Sequence, residues 1–167
     1  KIGADGIKTG YLAVAKYSLA ASIFKNNRRL ISVGSGFETK NSRSRETSKL
    51  LIWGLTNFDT IQISNRDTSL SSLNVWLGKK DKIEVYTKEN VYVNVPKGKK
   101  RNLRAEISYK GPIEAPITQD AKIAELKVYL KDDLLLTKNV YAKESVKELN
   151  IFSKLLKSFN YLIWGDV

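Results

Sequence analysis

The chain has 167 residues, a formal net charge of +12, and neither cysteine nor histidine. Disulfide frameworks, thiolate metal sites and imidazole bases are therefore excluded, so no metal is expected, and any catalysis has to use lysine, carboxylate, hydroxyl or backbone groups. The positive excess suits an anionic partner such as a wall polymer or an acidic membrane surface, but it is spread along the chain without an RNA-binding motif or recognition helix, and nucleic acid is not expected.

Almost at the start, Asp5-Gly6-Ile7-Lys8-Thr9-Gly10 brackets a Lys-Thr-Gly triplet with glycines. On a rigid strand, Lys8 and Thr9 offer an ammonium and a hydroxyl to a carboxylate, and the small Gly10 lets a ligand backbone approach. The next N–H, on Tyr11, can point at a developing oxyanion. Residues 17–23 and 29–33 then read as two strands around a Lys25-Asn26-Asn27-Arg28 turn, because asparagine tolerates positive φ. Three adjacent antiparallel strands are expected, ended by Gly34 and Gly36. Ser42 or Ser44 is the expected cap of a following helix with Glu46 near its first turn. Leu50, Leu51, Trp53, Leu55 and Phe58 supply its apolar face, and it runs out near residues 57–59.

From about residue 61 the period changes. Short alternating segments at 60–63, 74–77, 82–86, 91–95, 103–109, 123–129 and 134–137 are separated by turn signals such as Gly78-Lys79-Lys80-Asp81 and Lys131-Asp132-Asp133. This spacing predicts a small β-sandwich or barrel over 61–144. Residues 145–165 return to helical period. At about 100° per residue, Phe152, Leu155, Leu156, Phe159, Leu162 and Ile163 share an arc of about 120°, with Ser153, Lys154, Lys157, Ser158, Asn160 and Tyr161 opposite. Such a stripe packs on a core or partner, or lies in a membrane interface. No apolar run reaches the roughly 18 residues that cross a bilayer.

Residues 1–60 resemble the end of the penicillin-binding domain of the D-alanyl-D-alanine carboxypeptidases, the low-molecular-mass penicillin-binding proteins. The resemblance rests on Asp5-Gly6-Ile7-Lys8-Thr9-Gly10, Tyr17-Ser18-Leu19-Ala20-Ala21-Ser22, Arg29-Leu30-Ile31-Ser32-Val33, and Glu46 with Lys49-Leu50-Leu51-Ile52-Trp53-Gly54. Gly111-Pro112-Ile113-Glu114-Ala115-Pro116-Ile117 and the terminal amphipathic helix extend it over essentially the whole chain. Two residues depart from the family pattern: Leu12 stands for a common threonine and Lys16 for a usual glycine. The implied fold class is α+β: the C-terminal strands and helix of a β-lactamase- or transpeptidase-like domain (1–60), a small all-β sandwich (61–144) and an amphipathic membrane-anchoring helix (145–167).

The implied activity is serine-type removal of D-alanine from peptidoglycan pentapeptides through an acyl-enzyme, with stem peptides and β-lactams as ligands and no cofactor. The implied location is the periplasmic face of the inner membrane, reached through the terminal helix. By the same resemblance Lys8 and Thr9 hold the substrate carboxylate, Gly10 gives access and the Tyr11 N–H is half of an oxyanion hole. Arg43 falls where the family places an arginine near that carboxylate, or else is a solvated arginine at a helix end. A Lys-Thr-Gly of this kind works beside Ser-x-x-Lys and Ser-x-Asn elements that lie upstream of it. Ser22-Ile23-Phe24-Lys25 matches the first as a string but falls on an expected strand, where serine and lysine point to opposite faces. Ser72-Leu73-Asn74 and Ser158-Phe159-Asn160 read as chance. The expectation is thus a fragment without nucleophile or lysine base, inactive alone. The other reading is a non-catalytic wall- or membrane-binding module left by a split or decaying gene.

Overall fold

The computed structural model describes residues 3–25 and 28–165. They divide into two compact units: the chain up to Thr60 with Asn94–Lys100, and Ile61–Val93 with the chain from Arg101 onward.

In the first unit β1 (Ala4–Leu12), β2 (Lys16–Lys25) and β3 (Arg28–Phe37) form an antiparallel sheet in the order β1-β2-β3. Alternation decides its faces. Leu19, Ala21 and Ile23 of β2, with Leu30 of β3, pack against Leu51 and Leu55 of α1 (Lys40–Asn57). Asn26 and Asn27, the expected turn, lie outside the described residues. Gly34 and Gly36 do not end β3, which continues to Phe37. The Phe37 ring lies where a side chain at Gly34 would start, 2.7 Å from a Cβ built there, so glycine is the residue that fits.

Helix α1 begins earlier than its serines suggest. Thr39 is the cap: its hydroxyl accepts from the Ser42 N–H at 3.0 Å, and the Thr39 N–H donates to the Ser42 hydroxyl at 3.1 Å. This is a reciprocal capping box with serine in the place usually taken by glutamate or glutamine, and neither Ser42 nor Ser44 is the cap itself. The apolar face is also narrower than expected. Leu51 is buried, Leu50 and Trp53 are about half exposed, and Phe58 has already left the helix. The helix ends on Arg28, whose guanidinium donates to the Gly54, Leu55 and Phe58 carbonyls at 2.9, 3.4 and 3.1 Å. Two of these belong to the last turn, where carbonyls have no partner within the helix and the helix dipole favours a cation.

The remaining strands are β4 (Phe58–Ser64), β5 (Ser69–Trp76), β6 (Lys82–Tyr86), β7 (Val91–Pro96), β8 (Leu103–Ser108), β9 (Ile113–Glu114), β10 (Lys122–Leu130) and β11 (Asp133–Ala142). Six of them form one sheet in the order β8-β10-β11-β6-β5-β9, and β4 pairs with β7. The β10–β11 hairpin closes through Lys131-Asp132, with Lys131 at φ 56, a left-handed conformation that suits a tight hairpin. Ile83, Val85, Val128, Val140 and Ala142 are all but inaccessible to solvent. Each buried Val or Ile contributes about 1.5–3 kcal/mol relative to exposure. The short parallel strand β9, beside Val75 and Trp76, has no alternation to announce it.

Residues 145–150 are extended, contrary to their apparent helical period. Val146 exchanges both backbone hydrogen bonds with Ile117, and the Leu149 N–H donates to the Leu77 carbonyl at 2.9 Å. Burial of Val146 decides this. Helix α2 (Ile151–Trp164) starts after Asn150, whose side chain accepts from the Ser153 N–H at 2.8 Å, and closes on Gly165 in a left-handed conformation.

Two outcomes follow from these contacts. Arg28→Ala should destabilise the first unit by about 2 kcal/mol, since it leaves helix-terminal carbonyls without their charged donor; amide exchange in the last turn of α1 and urea unfolding measure it, and unchanged protection would refute the role. In the second unit Tyr86 donates to the Asp120 carboxylate, and this bond, with withdrawal from water, pushes its phenol from 10.0 up to about 12. The folded state holds that proton more tightly than the unfolded one. Its stabilisation is therefore complete below about pH 10 and lost as pH rises through about 12. The stability advantage of the native chain over Tyr86→Phe should disappear across that window in alkaline unfolding curves.

Candidate functional site

Strand β1 is the outer edge of its sheet, and every residue along it is exposed. Register fixes how the triplet is presented. Lys8 lies opposite Ala20, Thr9 opposite Leu19, Gly10 opposite Ser18 and Tyr11 opposite Tyr17. Directly opposed residues share a face, so Thr9 and Tyr11 stand on the side of α1 with Leu19, while Lys8 and Gly10 stand on the other side. The Lys8 ammonium and Thr9 hydroxyl therefore do not converge on one face. They can meet one ligand only along the free edge of β1.

A side chain at Gly10 would touch Ser18 Cβ at an ordinary 3.7 Å, so the sheet itself does not demand glycine there. Gly6 is different. Its φ of 148° sits at the irregularity between Ala4 and Gly6 that bends the strand before the triplet. Beside that bend, Arg29 pairs with Asp5 at 2.9 Å and also donates to the Ser22 hydroxyl. Hydrogen bonds from Ser22 and then Arg29 hold the Asp5 carboxyl below its usual range. Ser22 is thus a buried strand residue engaged by Arg29, not a serine at a helix N-terminus.

Between β1 and α1 runs an open cleft of about 560 Å³. Gly6, Ile7 and Thr9 line it from the strand, with Lys8 bordering it at the strand edge; Ser44, Thr47 and Ser48 line it from the helix. The Thr47 hydroxyl is buried and has no hydrogen-bond partner among the described residues. These three helix hydroxyls went unremarked in the sequence, although their i, i+3, i+4 spacing puts them on one face. Gly10, Tyr11 and Arg43 do not line the cleft. Arg43, in the first turn of α1, places its guanidinium over the Tyr17 ring at 5.8 Å, and the Tyr11 ring lies tilted by 44° against the same ring with centroids 4.6 Å apart. The Arg43 Nε is buried and has no hydrogen-bond partner among the described residues. Among the described residues no carboxylate pairs with Lys8 or Arg43, whereas Lys16 pairs with Glu38 and Lys49 with Glu46. Lys8 on β1 and Arg43 above Tyr17 of β2 are thus two cations without a carboxylate partner among the described residues, an arrangement suited to an anionic ligand. Lys16, where a glycine was the expected residue, has φ 57, the left-handed conformation that glycine adopts most easily.

Residues 58–148 match the family model described as penicillin-binding protein 5, C-terminal domain. The chain is 32% identical over 158 residues to the D-alanyl-D-alanine carboxypeptidase DacD of Escherichia coli, covering 94% of this chain and 41% of that protein. It is also 32% identical over 157 residues to DacF of Bacillus subtilis, covering 93% of this chain and 40% of that protein. Among solved structures, penicillin-binding protein 5 of Haemophilus influenzae superposes with a TM-score of 0.80 at 31% identity, over 88% of this chain and 43% of that one. The chain thus spans about two fifths of the length of the relatives it matches. Its mixed α+β architecture is theirs as well, and it belongs to the low-molecular-mass penicillin-binding protein family of D-alanyl-D-alanine carboxypeptidases.

Proposed function

We propose that this chain forms the C-terminal part of a serine-type D-alanyl-D-alanine carboxypeptidase that acts on peptidoglycan stem peptides, and reacts with β-lactams, through an acyl-enzyme at the periplasmic face of the inner membrane. The observation that carries this reading is the Lys-Thr-Gly triplet on a sheet-edge strand, whose Lys8, like Arg43 above Tyr17, pairs with no carboxylate among the described residues. A peptide carboxylate lying along that edge meets the Lys8 ammonium and the Thr9 hydroxyl from either side of the strand, with Arg43 adding long-range attraction. Gly10 keeps the edge open to the substrate backbone, and the Tyr11 N–H supplies one donor to the tetrahedral oxyanion. Residues 1–60 then act as one wall of the site, 61–144 as a β-sandwich and 145–167 as an anchor.

Acyl transfer needs a nucleophile beside a base. Ser22 lies on a strand and is engaged by Arg29, which supports the reading that the attacking serine and its lysine are supplied from outside these 167 residues. The 167-residue chain by itself should give no covalent band with fluorescent penicillin; a band abolished by Ser22→Ala would overturn this assignment. In a chain completed with the upstream part of a relative, Lys8→Ala should slow acylation about a hundredfold, comparable to losing one oxyanion donor. Arg43→Ala should raise KM more than it lowers kcat. An unchanged acylation rate for Lys8→Ala would remove the triplet from the site.

The membrane part of the reading is supported by α2. Phe152 and Leu162 are 86% and 84% exposed, and Leu155, Leu156 and Phe159 are exposed with them. No helix of the described residues is long and apolar enough to cross a bilayer, and an exposed stripe of this kind suits an orientation in the plane of the interface. Truncation after Leu149 should release the protein from phosphatidylcholine–phosphatidylglycerol vesicles in a sedimentation assay, and continued co-sedimentation would argue against the anchor.

A further inference from the structure

Helix α2 meets the β-unit on an unexpected side. Lys157 reaches Asp81, in the β5–β6 turn, at 2.5 Å; Tyr161 packs edge-on against Trp76 of β5 with ring centroids 5.1 Å apart; and Lys154 pairs with Glu148. On a helical projection Lys154, Lys157 and Tyr161 lie within about 60° of one another. The apolar stripe from Ile151 to Ile163 is centred about 160° away, on the far side of the helix. Docking in water ordinarily buries the apolar face of a helix. Here the polar face is docked and the apolar face is turned outward, while Ser153, Lys154 and Lys157 are the partly covered positions. The root of the helix is held too, because Lys79 and Leu77 exchange backbone hydrogen bonds with Lys147 and Leu149.

We infer that Trp76 and Asp81 form a clamp that fixes α2 by its polar face, so that the β-unit stands on a lipid surface at one set orientation. Asp81 of the clamp takes up Lys157, and Glu148 at the root of the helix takes up Lys154, so both lysines of α2 are engaged by protein carboxylates rather than free for lipid phosphates. Adhesion of the helix then comes from its apolar stripe, and direction comes from the clamp. A helix on a free tether would hold the protein to the bilayer but let the unit above it tumble. This inference rests on the membrane reading, and the two fail separately.

The chain has no cysteine, so Ser72→Cys with Asn160→Cys gives one unique pair of sites for spin labels, one on β5 and one on α2. Dipolar distance measurement should give a single narrow distribution in buffer, with the same maximum on phosphatidylcholine–phosphatidylglycerol vesicles. Asp81→Ala with Tyr161→Ala changes an exposed turn residue and an exposed helix residue. That variant should at least double the width of the distribution, while vesicle partitioning falls less than threefold. The charge swap Asp81→Lys with Lys157→Asp should restore the narrow distribution. If the alanine variant leaves the width unchanged, or the swap fails to restore it, the clamp is refuted whatever the vesicles show. If truncation after Leu149 leaves vesicle binding intact while the width responds as stated, the clamp stands and the membrane reading falls.

Discussion

Arg28 opens β3 and closes α1, and the candidate site depends on that link. Its guanidinium occupies the carbonyls of the last helical turn, so the start of one strand determines where the far end of the helix lies. The other end is set by the Thr39–Ser42 box. A helix held at both termini has little freedom to slide. The serine and threonine hydroxyls facing β1, and Arg43 above Tyr17, take their positions from these two attachments rather than from apolar packing, which on α1 reaches deep burial at Leu51. A charged donor is expensive to bury unless paired with good geometry; here it is paired, and it stands in for a wide apolar face.

The edge position of β1 is the second constraint. A strand places alternate side chains on opposite faces, so a lysine followed by threonine cannot present both groups on one sheet surface. The edge resolves the conflict, since a ligand lying along it is within reach of both faces. This is why exposure along all of β1 is informative. In a strand flanked on both sides the same triplet would be split between two compartments. The backbone of an edge also invites any extended chain to pair with it.

Legibility in the sequence followed the range of the forces involved. Period-two alternation and turn residues are local, and they located β2, β3, β6, β7, β8 and β10 within a few positions. The order of the first three strands followed because a hairpin allows little else. Decisions made by distant partners were not legible. Thr39 caps α1 through a serine rather than a glutamate; residues 145–150 are drawn out of helical period by pairing with Ile117 and Leu77; and two-residue β9 owes its existence to Val75 and Trp76. At the site, the chemistry of Lys8, Thr9 and Gly10 was readable as residue types. Their division between two faces required the register, and the hydroxyls of Ser44, Thr47 and Ser48 required knowing which side of α1 meets β1.

The terminal helix shows how an amphipathic pattern can be read correctly and still leave its meaning open. An apolar stripe states only that something apolar should cover it. What distinguishes α2 is the side on which the protein holds it. Had the stripe faced Trp76, α2 would be one more layer of the β-unit, and its lysines would be in water. Instead Lys154 and Lys157 are spent on Glu148 and Asp81, and Phe152 and Leu162 face outward. A single exposed ion pair contributes little, about 0–1 kcal/mol, but an aromatic pair and a backbone-paired root act with it on one short helix. Their sum need only exceed the modest freedom of a 14-residue segment, and the orientation of the apolar face then becomes a property of the folded β-unit rather than of the helix alone.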